Sequence, residues 1–325
     1  MSQISPEKPS VSSQPATALS WLYAFWKFSR PHTIIGTTLS AIGLFVIALS
    51  QIDRFALSDL QLVLWVLIAC LSGNVYIVGL NQLEDVAIDR INKPQLPLAS
   101  GELTRRQAQS IVALTGILAV AIAVWQGPWL LATIGLSLII GTAYSLPPIR
   151  LKRFPFWASF CIFTVRGAIV NLGLFLHYQQ RFGLPAQVPA IVWALTAFIL
   201  VYTFAIAIFK DIPDLEGDRR YHIRTLTIRL GQQAVFKLAR WVLTLCYVGM
   251  IAAALFWPAI ATEANAIGLV VSHAVAIGLL WFYSLRVDLA NKHVTGTLSY
   301  AQFYQLIWRF FFLEYLLFPI ACLLR

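Results

Sequence analysis

Asparagine and aspartate side chains recur at four-residue intervals in one polar stretch of an otherwise apolar chain. The stretch NQLEDVAIDRINKPQLPLASGE, residues 81–102, places Asn81, Asp85 and Asp89 at positions i, i+4 and i+8. On a helix these side chains share one face, where the two carboxylates repel each other. Amide and carboxylate oxygens are the hard ligands that Mg²⁺ prefers. The spacing therefore predicts a face that binds a divalent cation, with further coordination positions left for water or phosphate.

A second acidic segment, KDIPDLEGDRR at residues 210–220, repeats this pattern with Asp211, Asp214 and Asp218. Asp214 and Asp218 again stand at i and i+4, although a proline and a glycine in the segment should distort a regular helix. The plain alternative is that both sets of acids are solvated helix ends balanced by neighbouring basic residues. Two clusters with the same spacing favour the metal interpretation, in which Mg²⁺ ions bind a diphosphate and stabilise it as a leaving group.

The composition of the chain is that of a membrane protein. Of its 325 residues, 59% are hydrophobic and only 12% are charged, with a mean hydropathy of +0.74. A soluble domain carries roughly 25% charged residues. The net charge of +10 could in principle attract nucleic acid. Because no polar, solvated domain is present to carry that charge, we expect no nucleic-acid partner and interpret the excess as a topological signal.

Apolar segments long enough to cross the roughly 30 Å of a bilayer core recur along the chain. The sequence predicts about nine transmembrane helices in an all-α, polytopic fold. The predicted spans are 22–49, 60–83, 107–126, 128–146, 156–178, 187–209, 234–257, 264–285 and 299–323. The two acidic segments follow the second and sixth spans, which suggests two pseudo-repeated four-helix halves plus one further helix.

The basic residues are distributed asymmetrically about these spans. Nineteen of the 24 lysine and arginine residues fall on the side of the N-terminus and of the loops after spans two, four, six and eight. Most of the acidic residues, including both acidic segments, lie on that side as well. The positive-inside rule therefore predicts that the N-terminus and the acidic segments face the cytoplasm.

The chain is predicted to contain a single membrane domain, residues 21–325, behind a polar tail. The tail, residues 1–20, is rich in proline and serine and lacks the basic-then-apolar layout of a signal peptide. We expect it to be disordered.

The paired motifs NxxxDxxxD and DxxxD, on same-side segments of a nine-span chain, resemble those of the UbiA-type intramembrane prenyltransferases. The similarity covers nearly the whole chain except the tail. The words RPHT at 30–33, YSLPPIRLKR at 144–153 and VRGAIVNLGLFLH at 165–177 are similar to the cyanobacterial form of the homogentisate phytyltransferase branch. Hydroxybenzoate prenyltransferases of the family carry Arg-Pro after the first motif. Leu96-Pro97 stands there in this chain, which argues against a hydroxybenzoate acceptor.

The resemblance also implies residues that contact the diphosphate. It places a tyrosine and a downstream lysine near this group, which correspond to Tyr144 and Lys152. Lys93 follows the first motif and would supply positive charge. Lys210 precedes the second motif and could contact phosphate or pair with Asp211. The alternative for Lys152 and its basic neighbours is a topological charge cluster at a helix end.

Three polar residues near or within the spans are candidate contacts to the acceptor or the diphosphate. Arg166 lies inside the fifth predicted span, where an unpartnered cation is costly, so we expect it to face a polar cavity or to pair with an acid in another helix. Arg30 belongs to the RPHT word at the start of the first span. Asn171 lies five residues beyond Arg166, a spacing at which the two need not share a helix face.

The resemblance implies a function and leaves alternatives. It implies Mg²⁺-dependent transfer of a phytyl group from its diphosphate to homogentisate, with loss of CO₂ and release of diphosphate, in tocopherol synthesis. Asp85, Asp89, Asp214 and Asp218 would be the catalytic carboxylates, in a cyanobacterial inner or thylakoid membrane. The alternatives are solanesyl transfer to homogentisate and prenylation of chlorophyllide. A transporter is a more remote alternative, because transporters place their charges near the bilayer midplane in broken helices.

Overall fold

The protein is all-helical in the part of the chain that the structure, a computed structural model, describes. That part comprises residues 18–52, 56–221, 223, 225–290 and 298–325. Most of the predicted tail lies outside the described residues, although residues 18–20 belong to the first helix. The α-helices are α1 (Ala18–Phe28), α2 (Pro31–Leu49), α3 (Leu57–Asn92), α4 (Pro97–Ser100), α5 (Arg105–Gln126), α6 (Pro128–Ser145), α7 (Pro155–Phe163), α8 (Val170–Arg181), α9 (Ala190–Phe209), α10 (Leu215–Arg220), α11 (Leu226–Leu230), α12 (Gln232–Phe256), α13 (Pro258–Glu263), α14 (Ala266–Ala290) and α15 (Tyr300–Leu323).

Two short non-α segments complete the backbone near the fifth span. A 3₁₀ turn, Leu151–Arg153, precedes α7, and a π-helical turn, Thr164–Ile169, joins α7 to α8 in one continuous span. The predicted count is confirmed, since nine helical stretches of the described residues are long and apolar enough to cross a membrane. The protein is therefore an integral, multi-pass membrane protein.

The first predicted span, 22–49, is wrong in its N-terminal third. The chain breaks between α1 and α2, and only α2 is a span. The cause is Pro31, which disfavours the α conformation in the residue before it. Arg30 instead adopts a left-handed conformation, with φ of 54°. The side chain of Arg30 consequently lines the central cavity described below.

The core of the bundle lies around α9, whose apolar stretch is more enclosed by the protein than that of any other span described. Large aromatic side chains fill this core without exposure, among them Tyr202, Phe209, Phe236 and Phe303. The outer faces carry many exposed large apolar residues, such as Ile139 and Phe256. So much contiguous apolar surface is unfavourable in water and is suited to lipid.

Candidate active site

A cavity of about 340 Å³ lies among α2, α3, α6, the α7–α8 span and α15. Its volume is within the usual range for small-molecule sites. The predicted site residues that line it are Arg30, Asn81, Asp85, Asp89, Lys93, Tyr144, Lys152, Arg166, Lys210, Asp211, Asp214 and Asp218. The structure thus brings together in one cavity residues that lie far apart in the sequence.

The first motif lies on the last turns of α3, which continues without interruption to Asn92. Because this segment is regular helix, Asn81, Asp85 and Asp89 share one face, as the four-residue spacing predicts. The Asn81 amide nitrogen donates to Asp85 Oδ2 at 3.0 Å. This contact fixes the orientation of the amide and leaves its oxygen available to a ligand in the cavity.

Two basic side chains from the loop after α6 hold Asp85. Arg150 donates to Asp85 Oδ1 at 3.0 Å, and Lys152 donates to Asp85 Oδ2 at 2.5 Å. Burial lowers the pKa of Lys152, and the Asp85 carboxylate opposes that shift. Arg150 has a positive φ of 39°, which is uncommon for a residue with a side chain and marks a strained loop that aims its charge inward.

The second motif is irregular where it meets the first. Lys93, the residue after α3, donates to Asp214 Oδ2 at 2.5 Å. The Lys210 Nζ atom lies 3.0 Å from Asp211 Oδ1 and 3.5 Å from the Tyr144 hydroxyl oxygen. Each of these acids is therefore turned towards a basic side chain from its own segment or from the other motif.

A hydrogen bond between the two motifs holds them together. The backbone N–H of Gly217 donates to Asn92 Oδ1 at 2.8 Å. A Cβ atom at position 217 would lie 2.4 Å from that oxygen and 2.6 Å from Asn92 Cγ. Only glycine therefore lets α10 approach the end of α3 this closely.

We expect Asn92→Ala and Gly217→Ala to weaken the same contact. The alanine at 217 would force the Asn92 side chain out, so each single change loses the bond between the motifs. Because a displacement of about 1 Å in a catalytic site can cost roughly 100-fold in rate, each should lower turnover by about 10- to 100-fold. Turnover of both single variants and the double variant checks this. Losses that multiply in the double variant would show that the two residues act separately.

Part of the acidic face lacks a partner on the protein. Asp89 Oδ2 and Asp214 Oδ1 are buried and accept no hydrogen bond from any residue that the structure describes. Burial, together with the neighbouring carboxylates of Asp214 and Asp211, raises the pKa of Asp218 to about 7. A cation in this cavity would remove the cost of placing these carboxylates side by side.

The acidic side chains are not arranged to coordinate a metal ion together. Among the described residues, no three His, Cys, Asp or Glu side chains are grouped closely enough to hold a metal. The donor set nevertheless fits a hard divalent ion, since it consists of carboxylates and one amide, with two buried oxygens unpartnered. Binding would require the carboxylates to exchange their lysine and arginine partners for the ion.

Asn171 is the exception among the predicted site residues, because the structure does not bring it to the cavity wall. It is fully buried, its amide nitrogen donates to the Gly167 carbonyl at 2.8 Å, and its oxygen accepts from the Tyr315 hydroxyl at 2.7 Å. The prediction of a substrate contact for Asn171 is thus not supported by its position. The residue instead supports the π-helical turn that carries Arg166, and such turns are frequent at functional sites.

Three of the residues that contact the site groups or line the cavity have no specific role predicted from the sequence: Arg150, Asn92 and Trp308. For Arg150, a basic neighbour of Lys152, the sequence predicts no more than topological charge, and Asn92 bears no motif signal. Trp308 has no predicted role from the sequence, yet it is 7% exposed and lines the cavity. A signal for Trp308 existed in its position on the last span beside a run of phenylalanines, but helical periodicity alone does not distinguish a cavity wall from a lipid face.

Beyond the charged residues, the cavity continues along small and apolar side chains of α3 and α6, including Gly73, Ile77, Ile134 and Leu138. The hydroxyls in this part are satisfied locally. Ser137, for example, donates to the Thr133 carbonyl at 2.7 Å. This half of the cavity is therefore suited to an aliphatic chain, while the other half is suited to a polyanion.

The chain is similar to known proteins over most of its length. The profile of the UbiA prenyltransferase family matches residues 35–307. The chain is 51% identical to homogentisate phytyltransferase of Synechocystis, over 93% of this chain and 96% of the relative. It is 38% identical to homogentisate phytyltransferase 1 of Arabidopsis thaliana, over 97% and 79% of the two chains. A UbiA homologue from Archaeoglobus fulgidus, solved with GPP and Mg²⁺, is similar in fold with a TM-score of 0.65 and 19% identity, covering 93% of this chain and 98% of that one.

Proposed function

The chain belongs to the UbiA prenyltransferase family, and we propose that it transfers a phytyl group from phytyl diphosphate to homogentisate in tocopherol biosynthesis. The observation that carries the choice of substrates is the 51% identity to the Synechocystis homogentisate phytyltransferase over 93% of the chain. The charged and apolar halves of one cavity support it, because a prenyl diphosphate needs both.

The charged half would bind the diphosphate through cations that are now paired with acids. Lys93, Arg150, Lys152 and Lys210 all contact carboxylates that line the cavity. An incoming diphosphate would compete for these cations and release the carboxylates. The Tyr144 hydroxyl, beside Lys210, could donate to a phosphate oxygen.

The released carboxylates and the Asn81 amide would hold Mg²⁺. The ligands we propose are Asn81, Asp85, Asp89, Asp211, Asp214 and Asp218, and two of their buried oxygens accept no hydrogen bond within the described part of the chain. The bound ion would neutralise the diphosphate and weaken its bond to the prenyl carbon. The Archaeoglobus homologue, whose structure contains GPP and Mg²⁺, supports this assignment by analogy of fold.

Transfer of the prenyl group requires no covalent intermediate with the enzyme. The bond between C1 of the prenyl group and the diphosphate oxygen breaks, and the electron pair leaves with diphosphate. A ring carbon of homogentisate supplies the electrons of the new C–C bond and loses its proton. The bond to the carboxyl carbon then breaks to release CO₂, and the methylene carbon takes up a proton. The apolar walls exclude water from the allylic cation.

We propose that the active site opens towards the cytoplasmic side. Nineteen of the 24 basic residues lie on the side of the two motifs by the sequence-predicted spans. The positive-inside rule assigns that side to the cytoplasm. The same basic rim would attract two anionic substrates.

The test is an assay with purified protein in detergent, homogentisate, phytyl diphosphate and Mg²⁺. We expect mass spectrometry to detect the decarboxylated phytyl quinol, and EDTA to abolish its formation because the carboxylates then lack the ion that joins them to diphosphate. Added Mg²⁺ should restore activity, whereas Ca²⁺, which prefers longer bonds and more ligands, should restore much less.

Each alternative predicts a different result in this assay. Product with solanesyl diphosphate in place of phytyl diphosphate would keep the chemistry and overturn the donor. Prenylation of chlorophyllide, with none of homogentisate, would overturn the acceptor. Full activity in EDTA, or vectorial flux in liposomes without product, would contradict the metal–diphosphate mechanism.

A further inference from the structure

A cationic side chain, Arg166, lies deep in the cavity without a protein counter-charge. It is carried by the π-helical turn within the fifth span and is half-buried, with its accessible surface in the cavity. Among the described residues no carboxylate pairs with it, and its electrostatic neighbours are the phenols of Tyr304 and Tyr315. A cation at membrane depth without a partner is costly, so an anionic ligand is the natural complement.

The carboxylates of the cavity are not available to neutralise Arg166. Asp85, Asp211 and Asp214 are each paired with a lysine or arginine. Asp89 interacts with Arg30 and Lys93, and Asp218 interacts with Lys210 and Lys93, at the end of the cavity where the motifs lie. The positive charge of Arg166 is therefore unmatched within the charged network of the site.

The depth of Arg166 separates it from the diphosphate region. Its Nη1 atom lies 3.3 Å from the Cβ position that a side chain at Gly36 would occupy. Gly36 is further along α2 than Arg30 by six residues, which is about 9 Å of helix rise. Among the described residues, Asp89 of the first motif interacts with Arg30, whereas no carboxylate of either motif is an electrostatic neighbour of Arg166.

Aromatic rings form the walls around this guanidinium. Its central carbon lies 5.1 Å from the ring centroid of Trp308 and 5.7 Å from that of Phe311. The His32 ring packs edge-on against Trp308, with centroids 4.8 Å apart. Stacking on ring faces leaves the N–H edge of a guanidinium free to bind in its plane.

We infer that Arg166, with Trp308 and Phe311, forms the pocket for the carboxylate of the aromatic acceptor, as distinct from the diphosphate. The guanidinium would bind that carboxylate in a bidentate manner, and the aromatic walls would pack against the acceptor ring. This arrangement places the acceptor carboxylate at the deep end and directs the ring towards the prenyl carbon. The inference rests on the proposed function, since it assigns one part of that substrate to one part of the cavity.

The test compares acceptors that differ only in the carboxylate. Methylhydroquinone has the ring of homogentisate and lacks the carboxyl group, and its prenylation would give the same quinol without release of CO₂. For Arg166→Leu we expect kcat/KM for homogentisate to fall at least about 100-fold, the size typical for removal of one partner of a desolvated ion pair. For methylhydroquinone it should change by less than about threefold. In this variant, KM for the prenyl diphosphate should stay within about twofold of the wild-type value.

Two further variants separate this role from a structural one. Arg309→Leu removes a neighbouring cation that is exposed on the same helix as Trp308, and it should leave both acceptors unaffected. Arg166→Lys keeps the charge but not the bidentate geometry, so it should retain an intermediate activity with homogentisate. Size-exclusion profiles of all variants show whether they fold.

The results that would contradict this role of Arg166 differ from those that would contradict the proposed function. Calorimetric titration with homogentisate alone measures acceptor binding without turnover, and we expect binding by the wild type and loss in Arg166→Leu. An unchanged affinity for homogentisate in a folded Arg166→Leu protein would overturn the inference. An equal loss with both acceptors, or a raised KM for the diphosphate donor, would also overturn it. A wild type that binds homogentisate through Arg166 but forms no product would instead contradict the proposed function alone.

Discussion

Asp85→Asn is expected to reduce prenyl transfer about 1000-fold, a loss comparable to that caused by removing one strong electrostatic group from a preorganised site. Asp85 accepts hydrogen bonds from both Arg150 and Lys152, and it is also a proposed ligand of Mg²⁺. Asparagine keeps the volume of the side chain but supplies no charge. The variant would therefore leave two cations facing each other and remove one carboxylate from the metal.

The separate kinetic constants make this prediction specific. Since Arg150 and Lys152 remain and lose their protein anion, KM for the prenyl diphosphate should not increase. The defect should lie in kcat, because the interaction with Mg²⁺ matters most as the diphosphate leaves. Steady-state kinetics at varied donor and Mg²⁺ concentrations measure both constants.

The matched control for Asp85→Asn is Glu84→Gln. Glu84 is an acid on the same turn of α3, but it does not line the cavity. We expect this variant to keep activity within about twofold of the wild type, since it removes a charge that no substrate approaches. An equal loss in both variants would indicate that net charge on α3, and not the cavity-facing carboxylate, matters.

The fold was largely predictable from the sequence because a bilayer strongly constrains the order and length of apolar segments. A span needs about 20 apolar residues, so its presence is encoded locally, and the described part of the chain contains nine such helices. The break at Pro31 was missed because apolar residues lie on both sides of it and hide the boundary. Pro31 ends the helix through its effect on the backbone of Arg30, and hydropathy does not detect such an effect.

The acidic part of the site was predictable for a different reason. Asn81, Asp85 and Asp89 follow a helical spacing that can be read along one segment. Arg150 and Asn92 depend on contacts between segments, namely with Asp85 and with the Gly217 backbone. No local pattern encodes such pairings, which is why sequence analysis gave these residues no specific role.

For Asn171, the sequence predicts a site contact that the contacts between segments do not support. The segment VRGAIVNLGLFLH, which is similar to a segment of the family, predicts a role for Asn171 because it also contains Arg166. Five residues separate the two positions, and a local spacing does not encode the hydrogen bond that Asn171 accepts from Tyr315 on α15. Its amide bonds the Gly167 carbonyl and the Tyr315 hydroxyl, and neither partner belongs to the cavity lining.

Gly167→Ala is expected to lower both stability and use of the acceptor, because the backbone of α9 passes directly over Gly167. A Cβ atom at this position would lie 2.6 Å from Leu200 Cα and 3.0 Å from the Leu200 backbone nitrogen. A backbone contact cannot be relieved by a change of rotamer, so the fifth span must move away from α9. Overpacking of this kind costs about 1–3 kcal/mol, and thermal unfolding in detergent measures it.

The same movement should displace Arg166, the adjacent residue on the π-helical turn. We expect KM for homogentisate to rise and kcat/KM to fall about 100-fold, as a misplacement of roughly 1 Å can cause. The prenyl diphosphate lies at the other end of the cavity in our proposal, so its KM should stay nearly constant. Gly135→Ala is the matched control, because a Cβ atom there meets no atom within 4 Å.

A second change tests whether the backbone is the source of this effect. Leu200→Ala shortens the side chain but leaves the Cα atom and the backbone nitrogen in place, so it should not rescue Gly167→Ala. Recovery of stability and of homogentisate KM in the double variant would contradict the backbone explanation. It would show instead that the Leu200 side chain, which can repack, determines the position of the turn and of Arg166.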